Sequence, residues 1–131
     1  MHRTSENMKV VERLFETIEK RDLDGALTTF DENGYWDTPA GGPFSGRFMG
    51  KSGLRRLFQL FAVAWPEGSI ARELTLHADG DRVFAEFTWN PVNDSAPRVP
   101  TRSLAVFELV FGRIAAVREF ESGPPTSARA S

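Results

Sequence analysis

The spacing of apolar residues changes once along this chain, and that change constrains the fold more than any single motif. In the first half the spacing is helical. Val11, Leu14, Phe15 and Ile18 follow the i, i+3, i+4, i+7 stripe of an amphipathic helix over Glu6–Lys20. Arg21-Asp22 interrupts it, and Asp22 can cap a short helix over Leu23–Phe30, with Leu23, Ala26, Leu27 and Phe30 on one side. A third stripe, Leu54, Leu57, Phe58 and Phe61, predicts a helix from about Lys51 to Ala64, stopped by Trp65-Pro66-Glu67-Gly68. From Ile70 onward the period is two. Ile70–Ala78 sets Leu74, Leu76 and Ala78 against Glu73, Thr75 and His77. Arg82–Asn90 sets Val83, Ala85, Phe87 and Trp89 against Phe84, Glu86, Thr88 and Asn90. Asp79-Gly80-Asp81 reads as the hairpin turn between these strands, and Phe111-Gly112 joins a second hairpin, Thr101–Val110 and Arg113–Glu121.

Three helices, a short strand at Tyr35–Thr38 and four meandering strands describe an α+β domain. The expected architecture is a curved antiparallel sheet wrapped around three N-terminal helices, a cone open at one end. Pro39–Gly50 reads as an irregular loop, and Pro91–Pro100, with three prolines, as another. Met1–Ser5 reads as a flexible start and the Gly/Pro/Ser/Ala-rich 122–131 segment as a disordered tail, which leaves 6–121 as a single domain.

Composition narrows the function classes. The 131 residues carry a net charge of -2, which gives nucleic acid no basic face to bind. There is no cysteine and there are only two histidines, so disulfides, thiolate chemistry and a Cys/His zinc site are excluded. No apolar run approaches the ~20 residues of a membrane span, and no signal-peptide core is visible. The expectation is a cytoplasmic protein without membrane contact. Eleven Phe and three Trp against one Tyr make the aromatic content unusually apolar, material for a large core, a greasy cavity or a subunit contact.

Among chemistry-bearing residues, Asp37 stands out in Tyr35-Trp36-Asp37-Thr38-Pro39. It reads either as a loop-starting Asp that accepts backbone N–H groups or as a pocket base whose pKa burial would raise. Tyr35 shares its strand face, and alternation turns Trp36 the other way. Glu119 reads either as a second pocket acid, on the face of Val117 and Ala115, or as a sheet-edge residue paired with Arg118, Arg102 or Arg113. His77 is a solvated strand residue or a general base. Arg102 is a surface arginine or the reader of an anionic ligand group.

The order of these motifs resembles the nuclear transport factor 2-like superfamily. The "DLDGAL" helix, "YWDTPAGGPFSG", the "ADGDRV" hairpin and the final "VFGRIAAVREFE" fall in sequence over Glu6 to about Glu121. The SnoaL-like and ketosteroid-isomerase-like branch is the nearest part. The resemblance implies a conical α+β barrel, cystatin-like in layout, with a hydrophobic pocket and a homodimer. It places Asp37 where the isomerases keep their proton-shuttling base. Those enzymes pair that base with an oxyanion hole made of a Tyr and a carboxylic acid kept neutral. The Tyr and the acid fall here at Leu14 and Ala105, so that hole is missing. Limonene-epoxide hydrolases would place Tyr35, Asp37 and Glu119 around the reactive water, but their Arg–Asp pair falls at Phe87 and Trp89. Trp36, Leu14, Phe15, Phe58, Phe87, Trp89, Ala105, Phe107 and Val117 are expected around the pocket. The implied function is acid–base chemistry of isomerase, cyclase or dehydratase type on a small hydrophobic molecule, with Asp37, Tyr35 and Glu119 as catalytic residues. No metal or organic cofactor is implied. The alternatives are a non-catalytic ligand-binding or dimerisation module and an atypical epoxide hydrolase.

Overall fold

The structure, a computed structural model, describes residues 2–39, 45–64, 71–89 and 101–122. The expectations for most of the Pro/Gly loop, for Trp65–Gly68, for the proline-rich segment and for the tail beyond Ser122 lie outside the described residues. So does the side chain of Trp89.

Helix α1 spans His2–Glu19 and buries Val11, Leu14, Phe15 and Ile18, the stripe that the spacing predicts. It starts earlier than expected, because its first turns are pinned. The Gly80 N–H donates to Thr4 Oγ1 at 3.0 Å, and Asn7 Nδ2 donates to the Gly80 carbonyl at 2.9 Å. Helix α2, Leu23–Leu27, is capped by Asp22, whose side chain accepts from the Gly25 N–H at 3.0 Å. It stops short of Phe30, which opens strand β1, Phe30–Thr38. The strand is longer than expected because Phe30 pairs with Ile114, and the Thr29 carbonyl accepts from the Ile114 N–H at 2.9 Å.

A strand that composition does not predict follows. Strand β2, Gly46–Met49, lies within the expected loop and pairs antiparallel with β1, setting Phe48 opposite Trp36 and Arg47 opposite Asp37. Tertiary pairing here overrides a glycine-rich composition. Helix α3, Gly50–Ala64, comes next, then β3 (Ala71–Asp79), β4 (Arg82–Trp89), β5 (Thr101–Val110) and β6 (Arg113–Ser122). Phe111 and Gly112 both take positive φ, 51° and 76°, as a tight two-residue hairpin requires.

The six strands form one curved sheet in the order β2-β1-β6-β5-β4-β3. It is mixed rather than wholly antiparallel: β1 runs parallel to β6, because the chain returns to it only after two hairpins. The helices cover one face, α1 against β3, β4 and β6, and α3 against β1 and β2. On that inner face Val83, Ala85 and Phe87 of β4 meet Ser103, Ala105 and Phe107 of β5, which meet Val117 and Glu119 of β6. Their apolar members join the helix stripes in one core. Each fully buried Leu or Phe there stabilises the fold by about 1.5–3 kcal/mol.

Gly34 decides how β1 enters this core. Its backbone passes so close to β6 that a Cβ would stand 2.8 Å from the Ile114 carbonyl oxygen and 3.0 Å from the Phe30 ring. The β1–β6 register shifts between Phe30 and Tyr35. The result sends both Phe30 and Trp36 inward, with ring centroids 6.4 Å apart.

Candidate active site

Trp36 is wholly buried, and its indole packs against Phe61 at 5.7 Å, Phe107 at 6.0 Å and Phe58 at 6.2 Å between centroids. An indole N–H sealed from water needs an acceptor. It finds one on the neighbouring strand: Trp36 Nε1 donates to Glu119 Oε1 at 3.0 Å. The other carboxylate oxygen accepts from the Ser103 hydroxyl at 3.2 Å. Glu119 is only 7% exposed, so its carboxyl group is withdrawn from water, and each of its oxygens accepts a hydrogen bond. Three strands position the cluster: β1 supplies Trp36, β5 Ser103 and β6 Glu119. Ala105, directly opposite Glu119, leaves room beside it, being buried and small.

At this end of the sheet a groove of about 370 Å³ opens between β1 and β6, lined by Asp37, Thr38, Pro39, Arg118, Glu119, Phe120 and Glu121. Glu121, two residues beyond Glu119 and on the same side of the strand, stands at the exposed rim. Neighbouring atoms still withdraw enough water from its carboxyl to push its pKa up.

Asp37 and Glu119 therefore border one groove, but from opposite faces of the sheet. The expected alternation along Tyr35-Trp36-Asp37 holds. The bulky indole takes the core, so Tyr35 and Asp37 point outward. Asp37 forms a two-pronged ion pair with Arg47, Nε to Oδ1 at 2.7 Å and Nη2 to Oδ2 at 2.9 Å, while the guanidinium carbon lies 3.9 Å from the centroid of the Tyr35 ring. The side chains are half-exposed (51% for Arg47, 30% for Asp37), and such pairs contribute little to stability. The hydrogen bond to Asp37 is the chief reason the Arg47 pKa rises above its usual value. This arrangement ties the short edge strand β2 to β1.

The remaining expected residues divide clearly. Leu14, Phe15, Phe58, Phe87, Ala105, Phe107 and Val117 surround the cluster as packed core, with Phe15 at 5.4 Å from Phe87 and 6.0 Å from Phe107. His77 lies on the outer face, 3.9 Å from Glu86, and Arg102 is exposed on the same face; neither borders the groove. Ser103 was not anticipated. Its signal was available, since a hydroxyl at the parity of Ala105 and Phe107 is a polar residue aimed at the core. Arg47 carried no such signal, because its role depends on a strand that composition argues against. No helix among the described residues is long and apolar enough to cross a membrane, and the described residues contain no cluster of three or more His, Cys, Asp or Glu able to hold a metal ion.

Comparison with known proteins gives a consistent result. A family model described as a SnoaL-like domain matches residues 11–117. Among solved structures, Bal32a from a soil-derived mobile gene cassette superposes with a TM-score of 0.81 at 22% identity, covering 91% of both chains. A nuclear transport factor 2-like protein from Burkholderia xenovorans LB400 gives 0.75 at 22% identity, again over 91% of both chains. SalBIII, an epoxide hydrolase/cyclase-like enzyme in pyran ring formation in the polyether salinomycin, gives 0.71 at 24% identity, over 93% of this chain and 95% of its own. No protein with a curated description matches the sequence significantly.

Proposed function

Since the chain belongs to the SnoaL-like domain family, we propose that it performs cofactor-independent acid–base chemistry on a small hydrophobic molecule, with Glu119 as the proton-transfer group. One observation carries this reading: a carboxylate buried in an aromatic core, hydrogen-bonded on both oxygens, at the edge of a groove. A fold gains nothing from such an acid that an apolar residue would not supply more cheaply, whereas chemistry needs one. Glu119 accepts a proton from the substrate and returns it to the product, while Trp36 and Ser103 hold its two oxygens in place through the cycle. Isomerisation, cyclisation and dehydration all fit this role. The structural likeness to SalBIII, an epoxide hydrolase/cyclase-like enzyme, supports ring-forming or ring-opening chemistry among them. Asp37, ion-paired with Arg47, orders the rim of the groove.

The test compares two variants on a panel of enolisable ketones and hydrophobic epoxides followed by NMR. Glu119→Gln still accepts from Trp36 through its amide oxygen, while its NH2 can donate to the Ser103 hydroxyl, and it lowers turnover by about 10²–10⁴-fold, the usual worth of a positioned acid or base. Asp37→Asn lowers it by less than about tenfold, because it alters the rim and spares the proton carrier. The opposite ranking would move the proton transfer to Asp37.

A second reading is a binding module without chemistry. It is favoured by Leu14 and Ala105, both wholly buried, which put apolar groups where an oxyanion would need donors. Saturable binding of the same panel with no conversion, equal in wild type and Glu119→Gln, would establish it.

A further inference from the structure

A second groove, of about 550 Å³, lies at the other end of the sheet, between the start of α1 and the tips of the β3–β4 and β5–β6 hairpins. Arg113 opens β6 here, and Glu119 lies roughly 20 Å further along that strand, so the proton-carrying cluster takes no part in this groove. Three of its features exceed what the fold needs. Asn7 is only 2% exposed, and its Nδ2 donates to the Gly80 carbonyl at 2.9 Å, which fixes the side of the carboxamide that is nitrogen. The oxygen on the other side accepts no hydrogen bond among the described residues. A buried acceptor left open is unfavourable unless a donor from outside reaches it. Phe111 is fully exposed and holds φ at 51°, a backbone conformation that Asn or Asp would adopt with less strain and without an apolar ring in water. Glu6 and Asp81 add two carboxylates, and no Lys, Arg or His among the described residues lines the groove.

We propose that this groove binds a small organic ammonium, an amine carried on an apolar body. Its volume falls within the ~300–1,000 Å³ of small-molecule sites. The polar side chains that line it present acceptors: two carboxylates and the open oxygen of Asn7. An ammonium group is the matching species, with three donors and no acceptor. Leu109, Val110 and the exposed ring of Phe111 supply a wall for the apolar body, and an aromatic face also attracts a cation. An anion would meet two like charges here. A neutral apolar molecule would leave the Asn7 oxygen open and draw water away from the carboxylates. The positive end of α1 lies a full turn before Glu6, and its effect fades within that turn. The groove is also held in shape. The Leu109 N–H donates to the Asp81 carbonyl at 2.8 Å, tying the two hairpins together, and the Gly80 N–H donates to Thr4 Oγ1 at 3.0 Å, tying them to α1. A ligand therefore orders little on binding.

Proton–nitrogen correlation NMR on the full chain at neutral pH and low salt tests this, with phenethylamine as the probe. The backbone amides of Asp81, Val110 and Gly112 and the side-chain amide of Asn7 are expected to shift, with a dissociation constant of about 1 mM or below. Phenylethanol, which lacks the charge, and phenylpropionate, which reverses it, are expected to bind at least about fivefold more weakly. Phe111→Asn suits the turn and should fold as well as the wild type, yet weaken phenethylamine by about threefold or more. Glu6→Gln, at an exposed position, should weaken it by a similar factor and flatten its dependence on salt. No shift with probe up to ~20 mM, equal binding of phenylethanol, shifts confined to the groove at Asp37 and Glu121, or unchanged affinity in both variants would overturn the proposal.

Discussion

Replacing Trp36 with Phe removes the indole N–H from Glu119 while keeping an aromatic ring in the core. Two contributions are lost. A hydrogen bond to a charged group is worth about 1.5–3 kcal/mol. The smaller ring also vacates the space of two buried carbons, about 1.5 kcal/mol at ~0.8 kcal/mol each. The sum is a destabilisation of roughly 3–4 kcal/mol, which for a chain of this length lowers the melting temperature by about 12 °C. The packing part should not depend on Glu119, and the hydrogen-bond part should. In a Glu119→Gln background the lost bond is neutral rather than charge-assisted, worth about 0.5–1.5 kcal/mol, so Trp36→Phe should cost about 1 kcal/mol less there. The measurement is urea unfolding of the wild type, both single variants and the double variant. It must be followed by far-UV circular dichroism, because the substitution itself alters tryptophan fluorescence. Equal costs in the two backgrounds, or a total below about 1 kcal/mol, would refute the claim that the indole holds this carboxylate.

Two further outcomes are expected. Gly34→Ala drives a Cβ against the Ile114 carbonyl at 2.8 Å, a backbone atom that cannot swing aside, and should destabilise by about 1–3 kcal/mol in the same unfolding assay, whereas a neutral result would mean that β1 and β6 separate freely. For Glu121, burial raises the folded-state pKa above the unfolded 4.5, so the folded chain binds this proton more tightly and the benefit, complete below 4.5, is lost as pH rises through the folded value. Glu121→Gln should therefore gain urea resistance relative to wild type on going from pH 4 to pH 7, by a small amount because the residue is exposed, and a difference that shrinks with rising pH would contradict the desolvated position.

Most of the fold was legible because its signals are local. The stripe of α1, the Asp22 cap, the Phe111-Gly112 turn and the alternation of β4 each depend on neighbours within a few residues. The departures came from partners far away in sequence. Phe30 reads as the end of a helix until Ile114 offers it a strand to pair with. Gly46–Met49 reads as a loop until Trp36 and Asp37 supply the other side of a ladder. The site shows the same division. Alternation correctly separated Trp36 from Tyr35 and Asp37, but parity alone cannot say which face is the inner one. That was decided by Gly34 at the register shift and by the advantage of burying an indole over a carboxylate. Glu119 kept both of its readings open because Trp36, its indole donor, lies 83 residues away.

The parallel pairing of β1 with β6 also orders events in time. A nascent chain makes α1, α2 and β1 first, yet β1 has only the four-residue β2 to lean on until Arg113–Ser122 has been synthesised. Closing so long a loop is slow, and the strand edges it leaves waiting are exposed in the meantime. The hairpins β3–β4 and β5–β6 can zip locally, whereas the contact between Trp36 and Glu119 requires the chain's two ends to meet. The Trp36–Glu119–Ser103 cluster therefore forms only once β6 has been made, and a chain cut short before Arg113 would lack the strand that joins β1 to β5.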